Sequence, residues 1–381
     1  MDDHCNRPST EPFVNHSESC KPREPGLAFT VEHSGSRTSS PSSTDSGVSF
    51  LTVENLRKLQ AQLQVPSLAM PRLKTLRYDS PQYPKVLHER GITFHDLGSP
   101  TSPSNYDSIK EAICATRAHD MGRDNAEEAW NVLVGSEAEV EVLGVIAYDI
   151  LTYRKMRQPK QDLWAKLNAQ WEGTFPLATL GEQAQYYIAA PDPDLAIGYN
   201  EDNLKGVLKA RMFLHDQCTP LKSDKQLLFP VVTVEVKGAA SDEHAQRQNM
   251  HNSAVMLRNL LTLREKAGMD ASELSTKFDG IAHVITISFT KSEIVICCCW
   301  SSVTDDGLLE YNSKPVATMS RNEGSKAFHT MTGRILNAVD WATKTNQRWI
   351  REDLAALEPR VGTIQPLMPN GSIVGSEVTS Q

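Results

Sequence analysis

The sequence predicts an α/β protein in which a central mixed β-sheet is flanked by helices. Three observations predict it. Runs of strand length and strand composition occur at Leu227–Val236, Ile281–Phe289 and Glu293–Trp300. Apolar residues recur at helical spacing over Asn125–Thr152, Asp242–Ala267 and Lys326–Leu357. The two kinds of segment alternate along the chain, the order that layers helices against a sheet.

Taken in order, residues 1–50 are poor in large apolar side chains and rich in Ser, Thr, Pro, Glu and His. Such a segment buries too little apolar surface to offset its ordering entropy, so a disordered tail is expected. Residues 51–105 read as a short amphipathic helix, with Leu56, Leu59 and Leu63 at helical spacing, and an irregular linker. The folded domain is expected over residues 106–360. Its first helical stretch carries Trp130, Val134, Val140, Leu143 and Ile146, and Gly135-Ser136 breaks it, with Ser136 placed to cap the second half. Strand candidates follow at Gln185–Ile188 and Leu195–Tyr199, then a polar stretch without strand pattern up to Lys225. Beyond the Leu227–Val236 strand, Met250, Ala254, Leu257 and Leu261 mark one long helix that Gly268 can end. A further strand is expected near Val316–Met319, and Pro359 lies past the last helix. Residues 361–381 are expected to be a flexible C-terminal tail.

Composition narrows the function class. A formal net charge of −8 argues against a protein that coats nucleic acid without selectivity. It still admits a local basic groove, and an acidic metal site itself adds negative charge. The seven cysteines include the adjacent Cys297, Cys298 and Cys299 and no Cys-x-x-Cys pair, which fits neither a disulfide framework nor a zinc site. Reduced thiols in an intracellular protein, nuclear or cytoplasmic, are the simplest reading. Strand neighbours face opposite sides, so the three adjacent thiols read as small buried hydrophobes. The N-terminus lacks the basic-then-apolar pattern of a secretory signal, and no apolar run is long enough to cross a membrane. No glycine-rich phosphate loop and no Gly-x-Ser-x-Gly elbow are present, which speaks against NTP-driven chemistry and serine hydrolysis.

Two short elements carry candidate chemistry. In the Leu227–Val236 strand, alternation puts Val232, Val234 and Val236 on one face. Thr233, Glu235 and Lys237 share the other. An isolated Glu-x-Lys of this kind is most often a surface ion pair. The second element is Pro193-Asp194, where Asp194 opens a strand whose Leu195, Ile197 and Tyr199 face away from it; Asp192 is an alternative on the same side. Together the two elements suit hydrolysis of a phosphodiester. Carboxylate oxygens hold Mg²⁺, with Mn²⁺ as a substitute, and a cation orients the attacking water and stabilises charge on the phosphate.

This ordered set resembles the PD-(D/E)XK nuclease-like proteins, in particular the large group found in filamentous fungi. The resemblance covers about residues 106–358 and rests on Pro193-Asp194, Glu235-Val236-Lys237, Glu127-Glu128 ahead of Trp130-Asn131, and the late helix around Ile335–Trp341. It implies a restriction-endonuclease-like core of helix, three strands, helix and strand. It further implies that Asp194 and Glu235 hold Mg²⁺, with Glu128 (or Glu127) completing the metal site. Lys237 would be the catalytic cation, and Gln248 (or Gln246) would assist from the following helix. Nucleic acid, DNA or RNA, is then the partner. A catalytically inactive module that binds nucleic acid or a protein is the alternative. Asp194 and Glu235 are 235 − 194 = 41 positions apart, so an insertion must separate the two strands. Arg247, His251 and Arg258 share a helix face and, with Lys205, Lys209 and Arg211, are candidates for phosphate contact or an ordinary solvated face. The basic run 154–160 reads as a helix C-terminus.

Overall fold

The computed structural model describes residues 74–115, 123–135, 138–146, 163–169, 171, 186–200, 227–238 and 242–360. Its elements are β1 (Lys74–Leu76), α1 (Tyr83–Glu89), β2 (Ile92–Phe94), α2 (Tyr106–Cys114) and α3 (Arg123–Gly135). A helical segment at 139–146 follows. Then come β3 (Leu163–Leu167), β4 (Tyr186–Ile188), β5 (Leu195–Asn200), β6 (Leu227–Val236), α4 (Asp242–Ala267) and α5 (Ala271–Lys277). The remainder is β7 (Ile281–Phe289), β8 (Glu293–Val303), β9 (Leu309–Ser320) and α6 (Ser325–Leu357). The expected tails, the 53–63 helix, Ser136, the 154–160 run and Lys205, Lys209 and Arg211 lie outside the described residues.

The architecture is α/β, with one seven-stranded mixed sheet in the order β2-β9-β8-β7-β6-β5-β3. β6 and β7 are parallel, and α4 makes the crossover between them that a parallel pair requires. β3, β5 and β6 form an antiparallel set at one end, while β2 adds parallel to β9 at the other. Both faces are covered. Asn249 and Asn252 of α4 reach Thr233 and Glu235 on one side, and the Tyr199 hydroxyl donates to the Thr343 carbonyl of α6 at 2.6 Å on the other. β6 is buried at every position, as expected of a strand between two helical layers. No helix of the described residues is long and apolar enough to cross a membrane.

Local chemistry sets the main boundaries. Asp242 and Glu243 open α4 and Arg264 and Lys266 close it, each complementing the helix dipole. Gly268 then takes φ +87, with the Gly268 and Met269 amides donating to the Glu265 and Arg264 carbonyls, the paired bonds of a Schellman stop. Within the sheet, a β-bulge falls at Gly198. A Cβ there would lie 2.5 Å from the Leu228 carbonyl, so only glycine fits against β6.

Two expectations are corrected. The ordered fold does not begin at Tyr106: β1 pairs with β4, α1 packs on α4, and β2 forms a sheet edge, so residues 74–94 belong to the fold. β3 was not foreseen from its sequence. The three adjacent cysteines are all buried in β8, where burial raises their thiol pKa values, that of Cys299 to about 12.

Candidate active site

The antiparallel register of β5 and β6 pairs Leu195 with Val234, so one step further Asp194 comes opposite Glu235. The turn before β5 is held by the β3 extension, whose Ala169 and Asn168 amides donate to the Pro193 and Asp194 carbonyls at 3.0 and 2.8 Å. Pro191 and Pro193 are buried and Asp192 points outward, so Asp194 is the carboxylate delivered to the site. A register slip of one residue would send Glu235 to the opposite face.

Three oxygens surround the Lys237 ammonium. Nζ lies 3.5 Å from Asp194 Oδ2, 3.3 Å from Glu235 Oε2 and 3.0 Å from the Val236 carbonyl. Asp194 Oδ2 also accepts from the Val236 amide at 2.6 Å, and Glu235 Oε1 accepts from Asn252 Nδ2 at 2.8 Å. Glu235 is fully buried, and desolvation raises its pKa to about 8 despite the opposing pull of Lys237. Desolvation likewise raises that of Asp194, against Lys237 and the Val236 amide. Burial alone would lower Lys237, but the carboxylates of Glu235, Asp194 and Glu139 outweigh it and the net direction is upward. The cluster therefore holds more carboxyl groups than cations, and its burial resists ionising all of them.

The other expected residues sort clearly. Glu127 is exposed on α3, and the side chain of Glu128 lies outside the described residues. The helical carboxylate beside the cluster is Glu139, whose Oε1 accepts from the Gly238 amide at 3.1 Å. Gln248 sits one turn ahead of Asn252, with Oε1 buried and without a hydrogen-bond partner, whereas Gln246 lines a cavity elsewhere. The expected basic face does not exist as such. His251 and Arg258 are buried; His251 meets the Tyr83 hydroxyl at 3.3 Å, and burial lowers its pKa to about 3. Arg247 pairs with Glu243 at 2.5 Å. One residue of the presumed linker joins the site: the Tyr78 ring centroid is 5.8 Å from Lys237 Nζ and 5.7 Å from the His244 ring.

Among the described residues, no three His, Cys, Asp or Glu side chains gather closely enough to hold a metal by themselves. The set on offer is two carboxylates and one carbonyl. All-oxygen donors fit Mg²⁺ or Mn²⁺, ions that keep several of their own waters.

Fold and site thus define an α/β protein with a buried, carboxylate-rich cluster where two antiparallel strands meet the crossover helix. The family model for a domain of unknown function, DUF7924, matches residues 143–354, more than half of the chain, and the chain belongs to that family. That span includes Asp194, Glu235, Lys237, Gln248 and Asn252, while Tyr78 and Glu139 lie before it. No curated protein matches the sequence.

Proposed function

We propose that the cluster is the active site of a metal-dependent nuclease of the PD-(D/E)XK kind, hydrolysing phosphodiester bonds of DNA or RNA. The observation that carries the reading is the convergence of Asp194, Glu235 and the Val236 carbonyl on one cationic point. It occurs where the main sheet runs helix, β3, β5, β6, α4, β7 along the chain, with β4 pairing outside that sheet and the short α5 following α4. Ionising both carboxyl groups, as metal binding requires, gives the site an excess of negative charge that repels a phosphate until a further cation neutralises it. Asp194 and Glu235 would hold Mg²⁺, which supplies an acidified water and charge neutralisation on the phosphate. Lys237 orients the attacking water and, as the P–O bond to the leaving sugar breaks, stabilises charge on the phosphoryl oxygens. The products are a phosphomonoester and a free hydroxyl. Asn252 fixes the Glu235 rotamer, and the unpartnered Gln248 Oε1 is positioned one turn away to accept from substrate or water.

A second reading has its own observation. Lys237 already satisfies all three oxygens, so the site is stable as an internal ion cluster in a non-catalytic binding module. Labelled DNA and RNA, single- and double-stranded, incubated with the full chain and Mg²⁺ or Mn²⁺ separate the two. The nuclease reading expects cleavage that Asp194→Ala and Lys237→Ala each lower by about 10²-fold or more, with the fold retained by circular dichroism. Cleavage that survives both substitutions, or none on any substrate class, leaves the binding module.

A further inference from the structure

On the other side of the first turns of α4 lies a cavity of about 290 Å³. Its floor is the α4-facing side of the sheet, where Thr286 pairs across to Cys297 and Ser288 to Val295. Ser313, on β9, is 4% exposed, lines the cavity, and has a buried Oγ without a hydrogen-bond partner. Phe94, Leu97, Met250 and Pro315 supply apolar wall.

The charge is one-sided. Asp96, Asp242, Glu243 and Glu293 line the cavity, and among the described residues that line it none is Lys, Arg or His. Glu243 is engaged by Arg247, Asp242 accepts from the Ser292 hydroxyl, and Arg321 attracts Asp242 from outside the cavity. Glu293 faces the like charge of Asp242, and burial followed by that charge raises its pKa. The acids are spread too widely for three of them to share one metal ion. Distributed negative charge over an apolar wall suits an organic cation with length, and it repels the phosphate backbone proposed for the neighbouring site.

We propose that this cavity binds an alkylguanidinium or alkylammonium group, its head beside Asp96 with the Ser313 hydroxyl accepting one N–H, and its stem on Phe94 and Met250 running toward the Glu293–Asp242 end. The test is calorimetric titration of the full chain with agmatine, with a blocked arginine amide and with 1-pentanol. Saturable binding of either cation, with pentanol at least about tenfold weaker, is expected. Preference for agmatine marks a free amine, and preference for the blocked arginine marks a peptide side chain. Asp96→Asn, on an exposed loop that tolerates the change, and Glu293→Gln should each weaken binding about threefold. No saturable binding of either cation, equal binding of pentanol, or affinity unmoved by both substitutions overturns the proposal.

Discussion

α4 packs against a buried charged cluster on β5 and β6 in its N-terminal half and carries a buried arginine near its C-terminus, and the two are built differently. Near its C-terminus, Arg264 Nε lies 3.4 Å from Asp353 Oδ2, its guanidinium stacks over the Phe278 and Trp349 rings at 4.9 and 5.1 Å, and Nη1 donates to the Lys277 carbonyl. One charge meets one charge, and aromatic faces and a carbonyl take up most of the remainder, leaving Nη2 buried without a hydrogen-bond partner. About 18 Å of helix rise separate this from the Asn252 end at ~1.5 Å per residue, where two carboxyl groups and the nearby Glu139 face the single ammonium of Lys237. The first arrangement is balanced in charge. The second sets three carboxyl groups against one ammonium and becomes negative once they ionise. Charge balance, rather than burial, separates a packing device from a candidate site.

The comparison breaks most sharply at Arg264. Arg264→Ala removes one partner of the balanced pair and strips the packing of two aromatic rings, so it should cost about 3–5 kcal/mol of stability, read by urea denaturation. At the other end Glu235→Gln should do the opposite kind of thing. It keeps an oxygen for Asn252, removes a buried carboxyl whose ionisation burial disfavours, and leaves stability unchanged or higher while lowering nuclease activity about 10²-fold or more. Equal destabilisation by the two variants would mean that both ends are packing devices.

A smaller effect sharpens the same contrast through pH. Glu235 has a folded pKa of about 8, above its unfolded value of 4.5, and Asp353 one of about 6, above 3.8. The native state therefore binds more protons than the unfolded state in those windows, and stability falls as pH rises through them. His251, lowered to about 3, and His283, also lowered by burial, act in the opposite sense below pH 6.5. Between pH 6.5 and 8 the Glu235 contribution stands clear of these. In chelator, the melting temperature should decline over that range, and Glu235→Gln should flatten the decline. A slope that persists in the variant assigns the titration elsewhere.

Much of this architecture is legible in the sequence where segments are long and periodic. The bounds of β6, β7 and α4 coincide with Leu227–Val236, Ile281–Phe289 and Asp242–Ala267 as read from pattern alone. The α/β class follows from them. β1 and β2 were missed because three-residue parallel strands have no period of their own; their partners, β4 and β9, lie more than a hundred residues away. β3 is a five-residue strand at the sheet end, with Lys166 in its interior. Asp194, Glu235 and Lys237 were readable because strand alternation alone places their charges. Glu139 was hidden: Ser136-x-x-Glu139 has the spacing of a capping box, an ordinary explanation for a glutamate at a helix start. His251 and Arg258 misled because arginine on a helix normally means solvent, whereas α4 is buried all round from His251 to Arg264.

The smallest expected effect tests whether residues 74–94 serve the site or merely cover it. Tyr78 presents its ring to Lys237 Nζ at 5.8 Å while its edge meets His244, so it limits where the ammonium can swing. A partly exposed cation–π contact is worth about 0.5–1 kcal/mol. Tyr78→Phe keeps the ring and should leave nuclease kcat within about twofold of the wild type. Tyr78→Leu removes it and should lower kcat about three- to fivefold with KM little changed, because the loss falls on the positioning of Lys237 and not on substrate binding. If Tyr78→Leu instead raises KM alone, the ring contacts substrate. If it lowers only the melting temperature, this segment is cover, and the open, carboxylate-rich end of α4 is complete without it.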